Sequence, residues 1–343
     1  MGNICTAKQQ PLAKPNRRIR IPSHLQDVTL SIGSFTVNRV LSRRTLGKVL
    51  LVSRSSTGEM FAIKTVKKSL LLDRKLKKHA MGERNVLAEI RSEFVVKLHF
   101  AFQNAERLYL VLEYMQGGEL FCHFRQQGKF KFQTARFYAA EILMALEDLH
   151  QHNIIYRDLK LENVLLTAEG YAKLADFNLA KLTDDEYLKT RTICGTPEYL
   201  SPEVIKGCDQ TYKVDYWSLG ILVYEMLEGV TPFYAQTHER LFANIMACKL
   251  EFSYHTPPSA RRFIEAMLKL CPWDRPKSSD EIKSMDFFAD VDWEMMRSRK
   301  VKPPITPKVN LCMDASPDDS PEHNQRSGEN TFKGFSYISS PFK

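Results

Sequence analysis

The stretch Ile155-Tyr156-Arg157-Asp158-Leu159-Lys160-Leu161-Glu162-Asn163, followed by Asp176-Phe177-Asn178, decides how this chain is read. It sets an acid, a lysine, an amide and a second acid in a fixed order. Asp158 is a candidate base, Lys160 a candidate cation, and Asn163 and Asp176 a candidate amide–carboxylate pair for metal. Transfer of a phosphoryl group from ATP asks for that set. It needs metal ions that bridge the phosphates, a group that orients the attacking hydroxyl, and positive charge beside the transferred phosphate. The competing reading is a buried strand–turn–strand that happens to carry charges.

Working outward, Phe61-Ala62-Ile63-Lys64 is an apolar strand pattern ending in lysine, and Lys75 to Ile90 is an amphipathic helix pattern carrying Glu83. Downstream come Thr192-Ile193-Cys194-Gly195-Thr196-Pro197-Glu198-Tyr199, then Ser201-Pro202-Glu203, Asp215-Tyr216-Trp217-Ser218-Leu219-Gly220, and Arg275. In this order the motifs resemble those of eukaryotic protein kinases. Tyr156 before Arg157-Asp158 resembles the AGC family of serine/threonine kinases. The resemblance covers about residues 35 to 343. It implies an α+β, two-lobed kinase fold, with an antiparallel N-lobe sheet plus one regulatory helix, a mainly helical C-lobe and an AGC C-terminal tail. It implies roles too. Lys64, paired with Glu83, would contact the ATP phosphates. Asp158 would accept the substrate proton beside Lys160. Asn163 and Asp176 would hold Mg2+ or Mn2+. Asp215 would anchor the catalytic-loop backbone, and Arg275 would pair with Glu203.

Composition is compatible with that fold. A chain of 343 residues with 43% apolar content can bury a large core. A net charge of +9 suits nucleic acid, acidic lipid or neither. No zinc-finger spacing or aromatic-interleaved basic patch is present, which disfavours nucleic acid. Seven scattered cysteines without a Cys-x-x-Cys pair read as reduced thiols of a cytoplasmic protein. No apolar run reaches the length of a transmembrane helix, and no secretory signal is expected. Four parts are read from the pattern. Residues 1–34 form a polar arm. Residues 35–114 carry strand alternation around one helix, as in Phe35 to Val40 and Arg107 to Leu112. Residues 116–288 carry helical spacing, as in Ala135 to Leu149 and Val214 to Leu227. Residues 289–343 lose periodicity and form a tail.

The phosphate loop departs from the family. Leu41-Ser42-Arg43-Arg44-Thr45-Leu46-Gly47-Lys48-Val49 keeps only the third glycine, Gly47, with Ser42 and Arg44 at the other two positions. Side chains there crowd a ligand that glycine would admit. Asn178 replaces the glycine after Asp176-Phe177; asparagine tolerates left-handed backbone better than most residues, and some AGC relatives carry it. These departures raise an alternative, a pseudokinase acting as a scaffold. Against it stand Lys64, Glu83, Asp158, Lys160, Asn163 and Asp176, all present.

The resemblance also assigns contacts. Leu41, Gly47, Val49, Ala62, Leu112, Glu113, Met115 and Leu165 would surround the nucleotide, though each apolar residue is equally readable as core. Glu119, Glu162 and Glu225 would bind arginines of basic substrates through bidentate pairs. Thr196 with Lys160 would mark a Ser/Thr substrate. Thr192 would be phosphorylated and answered by Arg157, Lys181 and His79. Phe332-Lys333-Gly334-Phe335-Ser336-Tyr337 resembles the hydrophobic motif of the Akt, S6-kinase and protein kinase C branch, which docks on the N-lobe and an upstream kinase. Ser336 would be its phosphorylation site; Ser316 is the turn-motif candidate, with Ser320 competing. Met1-Gly2-Asn3-Ile4-Cys5-Thr6 fits myristoylation of Gly2 and palmitoylation of Cys5. With Lys14, Arg17, Arg18 and Arg20, that would bring a cytoplasmic monomer partly to anionic membrane. The alternative there is an unmodified linker.

Overall fold

The computed structural model describes residues 30–44, 47–182, 194–308 and 332–339. The first lobe is a sheet built from β1 (Phe35–Arg44), β2 (Gly47–Arg54), β3 (Met60–Lys67), β4 (Leu98–Gln103) and β5 (Arg107–Glu113). A short strand from the tail completes it, in the order β1-β2-β3-β5-β4 and then Tyr337–Ile338. All pairings are antiparallel. The strands are rich in β-branched and aromatic residues, which fit a pleated, half-buried surface. Helix α1 (Arg74–Glu89) packs between this sheet and the second lobe, and Val86 and Leu87 are buried.

Gly47 opens β2, and its register explains it. A Cβ there would lie 1.7 Å from the carbonyl oxygen of Thr65 on β3. The glycine is therefore required by strand-on-strand approach, independently of any ligand.

The second lobe begins with β6 (Gly118–Glu119), α2 (Leu120–Gln127) and α3 (Phe132–Gln151), followed by β7 (Ile154–Ile155), β8 (Val164–Leu166), β9 (Ala172–Leu174) and β10 (Lys181–Leu182). Strands β6, β8 and β9 form one small sheet, and β10 pairs with β7. Next come α4 (Pro202–Ile205), α5 (Lys213–Glu228), α6 (His238–Ala247), α7 (Pro258–Met267), α8 (Ser279–Lys283) and α9 (Trp293–Arg297). Helix α5 is apolar on nearly every side, the mark of a helix buried all round. Its residues from Lys213 to Tyr224 are all buried. Helix α3 lies against it, with Ala139, Ala140 and Ala145 buried among larger side chains.

The chain after residue 288 is more ordered than its composition indicates. Arg297 bonds Glu147 and Asp148 at 2.8 and 2.9 Å. Arg297 and Arg299 place guanidinium carbons 5.6 and 5.0 Å from the ring centroid of Phe94. Pro303, Ile305 and Pro307 are buried at alternate positions, so the segment runs extended along the lobe. Gly170, at φ +102, admits it: a Cβ there would meet the Ile305 carbonyl oxygen at 1.9 Å. Further on, Tyr337–Ile338, strand β11, pairs with β4. Two lobes, a sheet with one helix and a helical bundle, make this the two-lobed kinase fold.

Candidate active site

A cleft of about 960 Å³, open to solvent, lies where the lobes meet. Leu41, Val49, Ala62, Leu112, Glu113, Met115 and Leu165 line it, as do Ser42, Tyr114, Leu87 and Val96. Gly47 is not among the lining residues. Glu113 has a second engagement: its carboxylate accepts from Lys173 at 2.8 and 2.9 Å, which ties the connection between lobes to β9.

Strand β3 places Lys64 at the inner wall of the cleft, and α1 brings Glu83 to it. Lys64 Nζ donates to Glu83 Oε1 at 2.6 Å, to Asp176 Oδ1 at 2.9 Å and to Asn178 Oδ1 at 3.0 Å. Glu83 is only 2% exposed. Burial pulls the Lys64 pKa down, but Glu83 and Asp176 outweigh it, and the net direction is upward. The ammonium stays charged.

The catalytic-loop residues are held from below. Asp215, fully buried in the first turn of α5, accepts from the backbone N–H of Tyr156 at 3.0 Å and of Arg157 at 2.8 Å. His150 Nε2 lies 2.8 Å from the same carboxylate. Arg157 has φ 65, a conformation L-residues rarely adopt, and the Asp215 bond helps hold it there. The Tyr156 ring stacks edge-on against buried Phe177, and its hydroxyl donates to the Ala175 carbonyl. That gives the tyrosine in this loop a structural task, linking it to the segment of Asp176, which sits at φ 56.

The Asp158 carboxylate is oriented on both oxygens. Asn163 Nδ2 donates to Oδ2 at 2.8 Å, and the Thr196 hydroxyl lies 3.3 Å from Oδ1. Lys160 Nζ donates to Thr196 Oγ1 at 2.8 Å and lies 3.4 Å from Asp158 Oδ2. Burial raises the Asp158 pKa and Asp176 adds to it, against the opposing pull of Lys160 and Asn163. Asn163 Oδ1 is buried and lacks a hydrogen-bond partner. An orphaned acceptor in the same cleft wall as Asp176 fits a cation. Among the described residues no three His, Cys, Asp or Glu side chains form a metal cluster of their own. A Mg2+-type ion that draws its remaining ligands from phosphate and water needs none.

Glu119 and Glu162 line the cleft edge. Glu225 does not; it accepts a hydrogen bond from the Tyr199 hydroxyl. Burial pushes Glu225 up to about 7, and Glu162 and Glu198 add repulsion. Tyr199 was not legible as its partner, because the two residues are far apart in sequence and neither motif implies the bond.

Thr192, Ser316, Ser320, Gly2 and Cys5 lie outside the described residues. The groups expected to answer a phosphate on Thr192 are brought together. Burial, Arg157 and Lys78 depress the pKa of His79, and burial with Arg157 and Lys78 depresses that of Lys181. Lys78 is an addition the motifs did not give. At the far side of α1, Phe332 and Phe335 are buried. Arg84 donates to the carbonyls of Phe335 and Ser336 at 3.0 and 2.9 Å, and Gln103 to that of Phe332 at 2.8 Å. Lys77 Nζ lies 4.8 Å from the Phe332 ring centroid. Ser336 itself is exposed.

Residues 35–288 match the protein kinase domain family, and the chain belongs to it. That family uses ATP and a divalent metal ion. Its curated relatives carry serine/threonine-kinase names. The chain is 40% identical over 321 residues to the serine/threonine-protein kinase gad8 of Schizosaccharomyces pombe, covering 93% of this chain and 55% of that one. It is 40% identical over 293 residues to the RAC family serine/threonine-protein kinase homolog of Dictyostelium discoideum, covering 84% and 66%. With RAC-beta serine/threonine-protein kinase B of Xenopus laevis it shares 37% over 317 residues, covering 91% and 64%. The chain thus spans between half and two thirds of the length of these relatives. None of their names supports the scaffold alternative. No described helix is long and apolar enough to cross a membrane.

Proposed function

We propose that the chain is an active serine/threonine protein kinase that moves the γ-phosphoryl group of ATP to Ser or Thr hydroxyls of proteins with upstream Arg or Lys. One observation carries this: Lys64, from the sheet, meets Glu83 of α1 and Asp176 of the other lobe on one nitrogen. A chain relieved of catalysis has no packing reason to bury three charges there.

The adenine would lie between Val49, Ala62 and Leu165 against the Glu113–Met115 connection. Asn163 and Asp176 would hold Mg2+ or Mn2+, which would offset phosphate charge when bound. Asp158 orients the substrate hydroxyl and takes its proton as the oxygen–phosphorus bond forms. The bond from phosphorus to the β-phosphate oxygen breaks, and ADP leaves with that electron pair. Its raised pKa suits Asp158 to that acceptance. Lys160 sits where it can neutralise the transferred group. Thr196 and Lys160 favour an aliphatic hydroxyl as acceptor, and Glu119, Glu162 and Glu225 favour basic substrates. Phosphorylation of Thr192 and Ser336, and of Ser316 in the turn motif, would tune activity. An upstream kinase would engage the hydrophobic motif, and acylated Gly2 and Cys5 would bring the monomer to anionic membrane.

The test is phosphotransfer by purified full-length protein to a degenerate Ser/Thr peptide set, with Mg2+ or Mn2+. Activity is expected to prefer peptides with upstream arginine and to vanish in Asp176→Ala. Absence of phosphotransfer by the wild type under both metals, with Thr192 and Ser336 phosphorylated, would overturn the proposal.

A further inference from the structure

An ammonium group has three N–H donors, and the structure gives each of Lys64's an acceptor: Glu83 at 2.6 Å, Asp176 at 2.9 Å and Asn178 at 3.0 Å. The two carboxylates belong to the machinery above. The amide does not. Its backbone gives no reason for an asparagine either. Asn178 is absent from the described non-glycine residues at positive φ, a set that includes Arg157 and Asp176. The left-handed tolerance expected from the sequence is therefore not what position 178 uses. What it contributes is the side-chain oxygen.

A nucleotide phosphate reaching Lys64 finds every N–H engaged and must displace an acceptor. Glu83 holds the shortest bond and is almost wholly buried. Asp176 also bears a charge, so its bond to the ammonium adds the attraction of opposite charges, where the amide oxygen offers only a dipole. The neutral amide, at the longest distance, is the one that yields. We infer that Asn178 is a positioning residue that occupies, before nucleotide binds, the Lys64 proton that a nucleotide phosphate later takes. Nucleotide binding then exchanges an amide oxygen for a phosphate oxygen on Lys64. The buried ammonium stays satisfied between turnovers, and nucleotide affinity is reduced by what the amide bond contributes. This rests on the reading of Lys64 as the phosphate-contacting lysine.

The test is calorimetric titration of ADP into the full-length protein, in EDTA and again with Mg2+. Asn178→Ala suits the backbone conformation and removes only the acceptor. It is expected to bind ADP about fivefold tighter in both buffers, a change of about 1 kcal/mol at 1.4 kcal/mol per factor of ten. The nucleotide-free protein should melt lower, and KM for ATP should fall more than kcat. Asn178→Asp keeps the shape and adds charge; it should bind ADP more weakly than wild type. If wild type binds ADP and Asn178→Ala binds it no tighter, or Asn178→Asp binds it as tightly, this inference is wrong and the kinase reading stands. If wild type binds no nucleotide, both fall.

Discussion

The guanidinium of Arg275 meets the carboxylate of Glu203 fork to fork inside the C-lobe, Nη1 to Oε1 at 2.6 Å and Nη2 to Oε2 at 2.7 Å. Its other donors reach the carbonyls of Lys213 and Lys269, each at 2.9 Å. One side chain thus fastens α4, the start of α5 and the loop after α7. Removing one partner of a buried pair strands the other, at about 3–5 kcal/mol. Arg275→Ala is expected to lose that much in urea unfolding, and Arg275→Lys, which cannot form the fork, to recover little of it. A loss near zero would show that the pair is replaceable.

Glu225 sets a pH dependence. A substrate guanidinium bound at Glu225, as proposed, needs the carboxylate form, which predominates only above about 7. KM for arginine-containing peptides is expected to fall as pH rises through about 7, and the inflection to vanish in Glu225→Gln. Stability runs the opposite way. The folded pKa lies above the unfolded one, so the contribution is full below the ordinary carboxylate value and lost as pH rises through about 7. Melting temperatures of Glu225→Gln and wild type compared at pH 5 and pH 8 check the sign.

Docking of the tail depends on Phe335, 1% exposed, and on Arg84. Truncating a buried phenylalanine costs about 3–5 kcal/mol. That exceeds what a short docked segment can lose and stay bound. In Phe335→Ala, hydrogen exchange should accelerate at residues 332–339, at the β4 edge and along α1. Arg84→Ala should give a smaller increase at the same places. Protection unchanged in Phe335→Ala would disprove this anchoring.

Gly47→Ala separates a packing reason from a ligand reason. The added methyl collides with backbone, not with a flexible side chain. The variant is expected to melt well below wild type in the absence of any nucleotide. If it melts normally and loses only nucleotide affinity, the phosphate-cradle reading of Gly47 is the right one.

Gly2→Ala removes the only amine that myristoyl transfer can use and leaves the basic run Lys14 to Arg20 in place. Those charges alone attract anionic lipid only within about a Debye length, roughly 8 Å at physiological salt. The variant should therefore leave the membrane fraction at that salt, with peptide phosphorylation unchanged. Equal pelleting of both proteins would show the arm to be a linker.

Elements with strong period were legible. The pattern Lys75 to Ile90 became α1, Arg74–Glu89, and Ala135 to Leu149 lies within α3, Phe132–Gln151. The gathering of Lys64, Glu83 and Asp176 was legible only through motif resemblance, since nothing local to Lys64 points to a carboxylate so far along the chain. Three features were not legible. Gly47 is legible for its freedom toward phosphate, but its close approach to the Thr65 carbonyl on the adjacent strand is not. Asn178 was read for its backbone, whereas its side chain carries the interaction. The stretch after residue 288 was read as aperiodic tail, yet it buries alternate residues of an extended segment and includes α9. Proline-rich extended chain has too weak a period to stand out, and its register is dictated by the surface it crosses.

That segment bears on modularity. The family match closes at residue 288, yet Arg297 answers Glu147 and Asp148, and Arg299 donates to the carbonyl of Glu93 beside the Phe94 ring that both arginines flank. A piece excised at the family boundary would carry a bare aromatic ring, two carboxylates deprived of a guanidinium, and an open groove at Gly170. The inheritable unit is therefore longer than the recognisable one. Recombination that moved this catalytic body into another protein would have to bring the chain through Pro307, and that sets where a fusion joint can fall.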